Sequence, residues 1–244
     1  VAALSVPTLA LDLVRQRLAH LSDSAREALT CAAVIGRSFS LPLLAAVTDR
    51  SASELMPILD VALAREVIRA APQSAMELTF TNELLRVGLY EAQTPAQRRK
   101  QHLRVIQVLD QRYALGEVPV SQLAYHAREA LPEGDLRKAV TYCSEAAEGA
   151  ARTCAFADAT RYLQHAREAL DLIEDASPQQ HFDLLLRQAS FERGHGSGDL
   201  SPLAEQLLHL AREQGGGAPL AQACLLLDPF PGFPRLPVLR DAMT

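Results

Sequence analysis

The residues best placed to do chemistry are a cluster of cations, Arg98-Arg99-Lys100 with His102 and Arg104. They fall early in a helix predicted over Pro95 to about Tyr113. Thr94 is its N-cap, Pro95 its first residue and Gln97 the capping partner. Cations near a helix start can meet a phosphate or a carboxylate on another domain. The competing reading is a solvated face paired with local acids. The seven histidines include no pair at i, i+4, so no helical two-histidine metal site is written in the chain. His165 and His209 read as half-exposed helix residues. The acid pairs Glu145/Glu148 and Glu168/Asp171 have the spacing of a solvated helix face. Gly194-His195-Gly196-Ser197-Gly198 lacks the strand-to-helix setting of a phosphate cradle and reads as a loop joining two helices. No phosphate-binding loop and no Gly-x-Ser-x-Gly motif occurs. Cys31, Cys143, Cys154 and Cys224 are far apart, outside ligand or redox spacing, and read as free buried thiols.

The elements that must position these residues are helical. Leu11–Leu21 is an amphipathic helix candidate. Ser22 or Ser24 caps the next helix, which carries Leu29, Ala32, Ala33 and Ile35 and stops at Gly36. Ser40 caps a short helix with Leu43, Leu44 and Val47. Ser51 and Glu54 form a capping box for a helix running to about Glu66, with Pro57 as a potential kink. The period then changes. Val67–Ala71 is extended, Pro72-Gln73-Ser74 is a turn, and Glu77–Thr81 alternates polar and apolar. Short helices followed by a two-stranded wing is the order of a winged-helix domain. From Asn82 onward every segment reads as helix, and the stripe Leu103, Ile106, Leu109 is expected to face inward on the Pro95–Tyr113 helix. A short helix follows over Gln122–Leu131.

After Asp135, which caps the next helix, a repeat emerges. Helices over Leu136–Ala151 and Phe156–Ile173 form one pair, and Pro178–Glu192 and Pro202–Gln214 form the next. A third pair begins near Ala218. Ala159, Leu163 and Ala166 match Ala204, Leu208 and Ala211 in spacing. Small residues at such places let helices approach while the Leu fills the groove between them. The expected fold is therefore mostly α. It comprises a winged-helix domain (1–94), a helical linker region (95–134), an α-solenoid of tetratricopeptide-like helix pairs (135–227) and an irregular tail (228–244).

Composition excludes several classes. The 244 residues are 48% hydrophobic and 22% charged, which is not a disordered composition. The net charge of −5 carries no basic nucleic-acid footprint on average. No apolar run is long enough to span a membrane, and the apolar start lacks the basic segment of a signal peptide. The expected setting is cytoplasmic. The chain starts at Val1 without an initiator Met, which leaves a fragment or a processed piece as readings. Exposure of Leu225-Leu226-Leu227 in such a piece would favour dimerisation.

Arg17–Ser22, Ala25–Leu29 and Ala33–Phe39, followed by Phe80–Glu91, Arg98–Leu103, Ala139-Val140-Tyr142, Ala146-Ala147 and Ala159–Leu170, form an ordered set of landmarks. The set resembles the region after the ATPase core in bacterial signal-transduction ATPases with numerous domains, the group that includes the maltose-regulon activator type of regulator. The resemblance covers about residues 10–215. It implies a winged helix that packs on an upstream ATP-binding domain, and a helical sensor that binds an inducer or a protein partner. Where the family commonly carries a histidine close to the nucleotide, this chain has Asn82, whose amide cannot carry a switchable charge.

These features predict a non-enzymatic regulatory and sensing segment of a signalling or transcription regulator. It would hold no cofactor itself, with ATP belonging to an upstream domain. Its partner would be a protein, the rest of its own chain or a small effector. DNA binding through the winged helix is the alternative, opposed by Glu54, Asp60 and Glu66 on the third helix. A stand-alone repeat adaptor for protein assembly is the other.

Overall fold

The computed structural model of the chain describes residues 18, 21–72, 74–195 and 200–227. They divide into two compact units at Glu117/Val118. The predicted Leu11–Leu21 helix falls outside the described residues except for Leu18 and Leu21, as does the tail 228–244.

In the first unit, the Ser22 hydroxyl accepts from the Ala25 amide and starts α1 (Asp23–Ile35). Ala25, Ala28, Leu29, Ala32 and Ala33 recur at helical spacing and are fully buried. Gly36 ends α1 at φ 154°, ψ −172°, a backbone conformation that only glycine adopts without strain. β1 (Ser38–Ser40) follows, and Ser40 then caps α2 (Leu41–Thr48). The Ser51–Glu54 capping box opens α3 (Ala52–Ala64), which continues through Pro57 without interruption. β2 (Ile68–Ala71) and β3 (Ser74–Phe80) complete the sheet.

The expected two-stranded hairpin is thus part of a three-stranded antiparallel sheet in the order β1-β3-β2. β1 pairs Ser38 with Thr79 and Phe39 with Leu78, and the Ser38 and Thr79 hydroxyls lie 3.0 Å apart. Three residues are too short for an alternating pattern to register in sequence. Tertiary pairing with β3 creates this strand. Phe39 and Phe80 stack at 5.7 Å between ring centroids, in a core shared with Leu29, Leu44, Leu55, Leu59 and Leu85. α4 (Glu83–Glu91) and α5 (Pro95–Ala114) close this unit, with α4 on α1 and α5 on α1 and α2.

The second unit is a succession of helices in which each packs on its neighbour in sequence. These are α6 (Val120–Glu129), α7 (Leu136–Arg152), α8 (Phe156–Leu170), α9 (Pro178–His195), α10 (Ser201–Glu213) and α11 (Ala218–Leu227). Asp135 caps α7 by accepting from the Lys138 amide. The stretch from 95 to 134, expected as one linker region, is shared between the units: α5 belongs to the first and α6 to the second. Among the described residues no helix is long and apolar enough to cross a membrane.

Candidate functional site

The basic cluster is set by the first turns of α5. Thr94 and Gln97 cap the helix reciprocally: the Thr94 hydroxyl accepts from the Gln97 amide at 3.3 Å, and the Gln97 side chain accepts from the Thr94 amide at 2.8 Å. This cap fixes the rotation of α5 and divides the cations between two environments. Arg98 lies with its guanidinium 5.0 Å from the Tyr90 ring centroid on α4, a cation–π contact. Lys100 and Arg104 are exposed, and Arg99 is half-buried.

His102 departs from the expected patch, being completely buried. Its Nε2 lies 3.1 Å from the Tyr90 hydroxyl, and the two rings meet edge to face at 5.9 Å. The inward stripe of α5 is consequently His102, Val105 and Leu109, with Leu103 and Ile106 only half-buried. The i, i+3, i+7 spacing of these three is as regular as that of the expected stripe. Nothing local marks His102 as a core position, because its partner, Tyr90, is twelve residues away.

Asn82 is the N-cap of α4, with its Oδ1 accepting from the Leu84 amide at 2.9 Å. That local bond accounts for an Asn here without any ligand.

In the second unit the six small-and-Leu positions are all buried: Ala159, Leu163 and Ala166 on α8, and Ala204, Leu208 and Ala211 on α10. A set of polar ties that the sequence reading missed runs beside them. Arg167 on α8 donates to Gln188 on α9 and to Gln206 on α10, each at 2.9 Å. Gln188, itself buried, passes its amide to Glu192 at 3.2 Å. Arg187 on α9 reaches Glu148 on α7 at 3.0 Å, and Arg137 on α7 donates to both carboxylate oxygens of Asp175 at 2.7 Å. The Arg137–Asp175, Arg187–Glu148 and Arg167–Gln206 partners are 38, 39 and 39 residues apart. Arg167 and Arg187 therefore each link a helix to the next but one in the stack, and Arg137 links α7 to the α8–α9 connection. Partners this far apart leave no local signal in the sequence.

The remaining candidates are local. His165 is half-buried, and burial first, then Arg128, holds its imidazole below the ordinary histidine range. His209 is more exposed than expected, 3.7 Å from Glu213 within its own helix, and His181 lies 3.4 Å from Asp171. Glu145, Glu148, Glu168 and Asp171 are exposed.

The free thiols also split, against the expectation that all four are buried. Cys31 and Cys143 are buried, Cys224 is half-buried, and Cys154 is exposed. Cys154 sits at φ 58° in the short α7–α8 connection, where the turn, not a core, dictates its place. Burial pushes the Cys143 thiol up to about 12.

The Gly194–Gly198 stretch, expected as a loop, begins inside α9. Gly194 there approaches the Phe156 ring so closely that a Cβ would meet it at 3.4 Å. Residues 196–199 lie outside the described residues. Among the described residues, no group of three or more His, Cys, Asp or Glu side chains is arranged to hold a metal ion.

No family model matches the chain, and no curated protein or solved structure matches it.

Proposed function

We propose that the chain is a non-catalytic recognition segment. In this reading its first unit is a winged-helix domain and its second a tetratricopeptide-like stack that binds a protein partner. The stack would relay binding to an ATPase or output domain of a signalling or transcription regulator, as the resemblance to signal-transduction ATPases implies. The cross-repeat arginine ties carry the reading. Arg167–Gln206 and Arg187–Glu148 each link a helix to the next but one, and Arg137 links α7 to the α8–α9 connection, while outward side chains are left free to vary, as a repeat-built binding surface requires. The helix order with a β1-β3-β2 sheet supports the winged-helix assignment of the first unit.

DNA reading is disfavoured by the same geometry. α3, the helix that would enter the groove, exposes Asp60, and its Glu54 is held in the capping box. Exposed apolar side chains in the stack, Tyr125 and Leu172, are natural contact points for a protein.

The test is affinity capture by the purified chain from native lysate, with bound proteins identified by mass spectrometry. Tyr125→Ser, Leu172→Asp and Lys100→Glu/Arg104→Glu variants run in parallel. One stoichiometric protein lost in the Tyr125 or Leu172 variant, with helix content unchanged, supports the reading. Loss only in the Lys100/Arg104 variant moves the contact to α5. Retention of duplex DNA with a steep salt dependence overturns it.

A further inference from the structure

A groove of about 440 Å³ lies within the first unit, bounded by α1, the end of α4 and the first turns of α5. Its lining is rich in hydrogen-bond acceptors. Gln93, in the α4–α5 connection, is 8% exposed, and its Nε2 leans on the Leu89 carbonyl at 3.5 Å. That carbonyl can only accept, so it favours the NH2 end of the amide, with Oε1 at the other end. Among the described residues, Gln93 Oε1 is buried without a hydrogen-bond partner, and so is Oε1 of Gln101 on α5. Both glutamines line the groove. Two unmet buried acceptors in one small region are costly, and native proteins rarely keep them without a reason.

The charged groups are compatible with this. Asp23 and Glu27 on α1 line the groove together with Arg26, whose guanidinium donates to the Leu18 carbonyl at 3.2 Å. Glu27 spends Oε2 on Arg50 at 2.7 Å. Leu89 and Ala92 supply an apolar wall.

We propose that this groove binds a guanidinium group. A guanidinium offers five donors and no acceptor, so it can serve amide oxygens and carboxylates together. Its weak hydration suits a groove that is partly apolar. The terminal torsion of a glutamine is broad, so a small turn of either amide presents its oxygen to an entering N–H. An ammonium, compact and strongly hydrated, is the poorer fit. The inference is independent of how the repeats function.

The experiment titrates the whole chain with N-acetyl-arginine methylamide and with a Gly/Ser peptide carrying one central Arg. The lysine and citrulline counterparts serve as controls, and binding is followed by calorimetry and by NMR shifts. Saturable binding of the arginine probes is expected, with the uncharged citrulline probe at least about tenfold weaker. The Gln93→Leu/Gln101→Leu variant should lose at least about tenfold in affinity while its thermal midpoint holds or rises, since replacing an unmet polar group with an apolar one relieves the fold. Should that variant fail to fold, Asp23→Asn, on an exposed position, reads the electrostatic share without breaking the Glu27–Arg50 pair. Tighter binding of the peptide assigns the guanidinium to a protein segment, and equal binding assigns it to a small effector; both support the site. Equal binding of arginine and citrulline probes, or affinity unchanged in the variants, overturns it.

Discussion

Leu163→Ala in the middle of α8 is the perturbation with the best-defined consequence. Leu163 is fully buried, with Ala159 and Ala166 on the same face, and α8 packs on both α7 and α9. Truncation removes three carbons, about 2.4 kcal/mol of transfer free energy at roughly 0.8 kcal/mol per buried CH2. Flanking alanines cannot swing in to fill the space, so a cavity remains and the total lies near 3 kcal/mol, within the ~2–5 kcal/mol range of such changes. That raises the population of locally open states roughly 150-fold. Native-state hydrogen exchange read by mass spectrometry measures it directly. Peptides from α7, α8 and α9 should lose protection by about that factor. Peptides covering α1 to β3, whose core of Phe39, Leu55 and Phe80 is their own, should change by less than about twofold. Equal loss in both units would refute the assignment of Leu163 to a core local to the second unit. A change below about threefold in α8 would show that Leu163 is not the filler between helices.

Three further outcomes follow from named contacts. Asn82→Ala should cost about 1 kcal/mol by urea unfolding, and Asn82→Asp much less, because the aspartate keeps an acceptor for the Leu84 amide. With a thiol reagent near neutral pH, exposed Cys154 should react at once, whereas Cys31 and Cys143 should wait for unfolding; prompt labelling of all three would contradict their burial. Folding depresses the His165 pKa below 6.5, so the unfolded chain binds the extra proton. Stability is therefore fully present above that pH and is lost as pH falls through the folded value. His165→Gln should flatten the measured slope of stability over this window.

Local signals were the most legible part of the sequence. Ser40, Ser51, Thr94 and Asp135 each cap the helix assigned to them, because a cap is decided within four residues. Of the two serines offered for α1, Ser22 is the cap. Long-range decisions were not legible. β1 exists because β3 pairs with it from forty residues away, and three residues rich in serine announce nothing alone. His102 reads as a surface cation because it stands in the basic run Arg98–Arg104, and only Tyr90 on another helix makes it a core residue. The acceptors of the groove were equally silent. Gln93 and Gln101 stand among ordinary helix-forming glutamines, and only the packing of three helices shows that their oxygens lack partners.

The same comparison decides which residues remain for recognition. Residue type nominates Arg98 and His102, and the family resemblance singles out Asn82; each is engaged with its own chain: Arg98 over Tyr90, His102 against its hydroxyl, and Asn82 on the Leu84 amide. Reversing the charge of Arg98 would therefore strip a cation–π contact as well as a charge, and a lost interaction would report packing as readily as recognition. Lys100 and Arg104 carry charge on exposed positions of the same helix, so their reversal changes the field while sparing the contact with Tyr90. Structural satisfaction removes a residue from candidacy more firmly than its chemical type proposes it. The converse carries the groove, where two buried acceptors lack a partner among the described residues. Recognition is most economically sought where the fold has left polar groups unmet, and on exposed apolar side chains such as Tyr125 and Leu172.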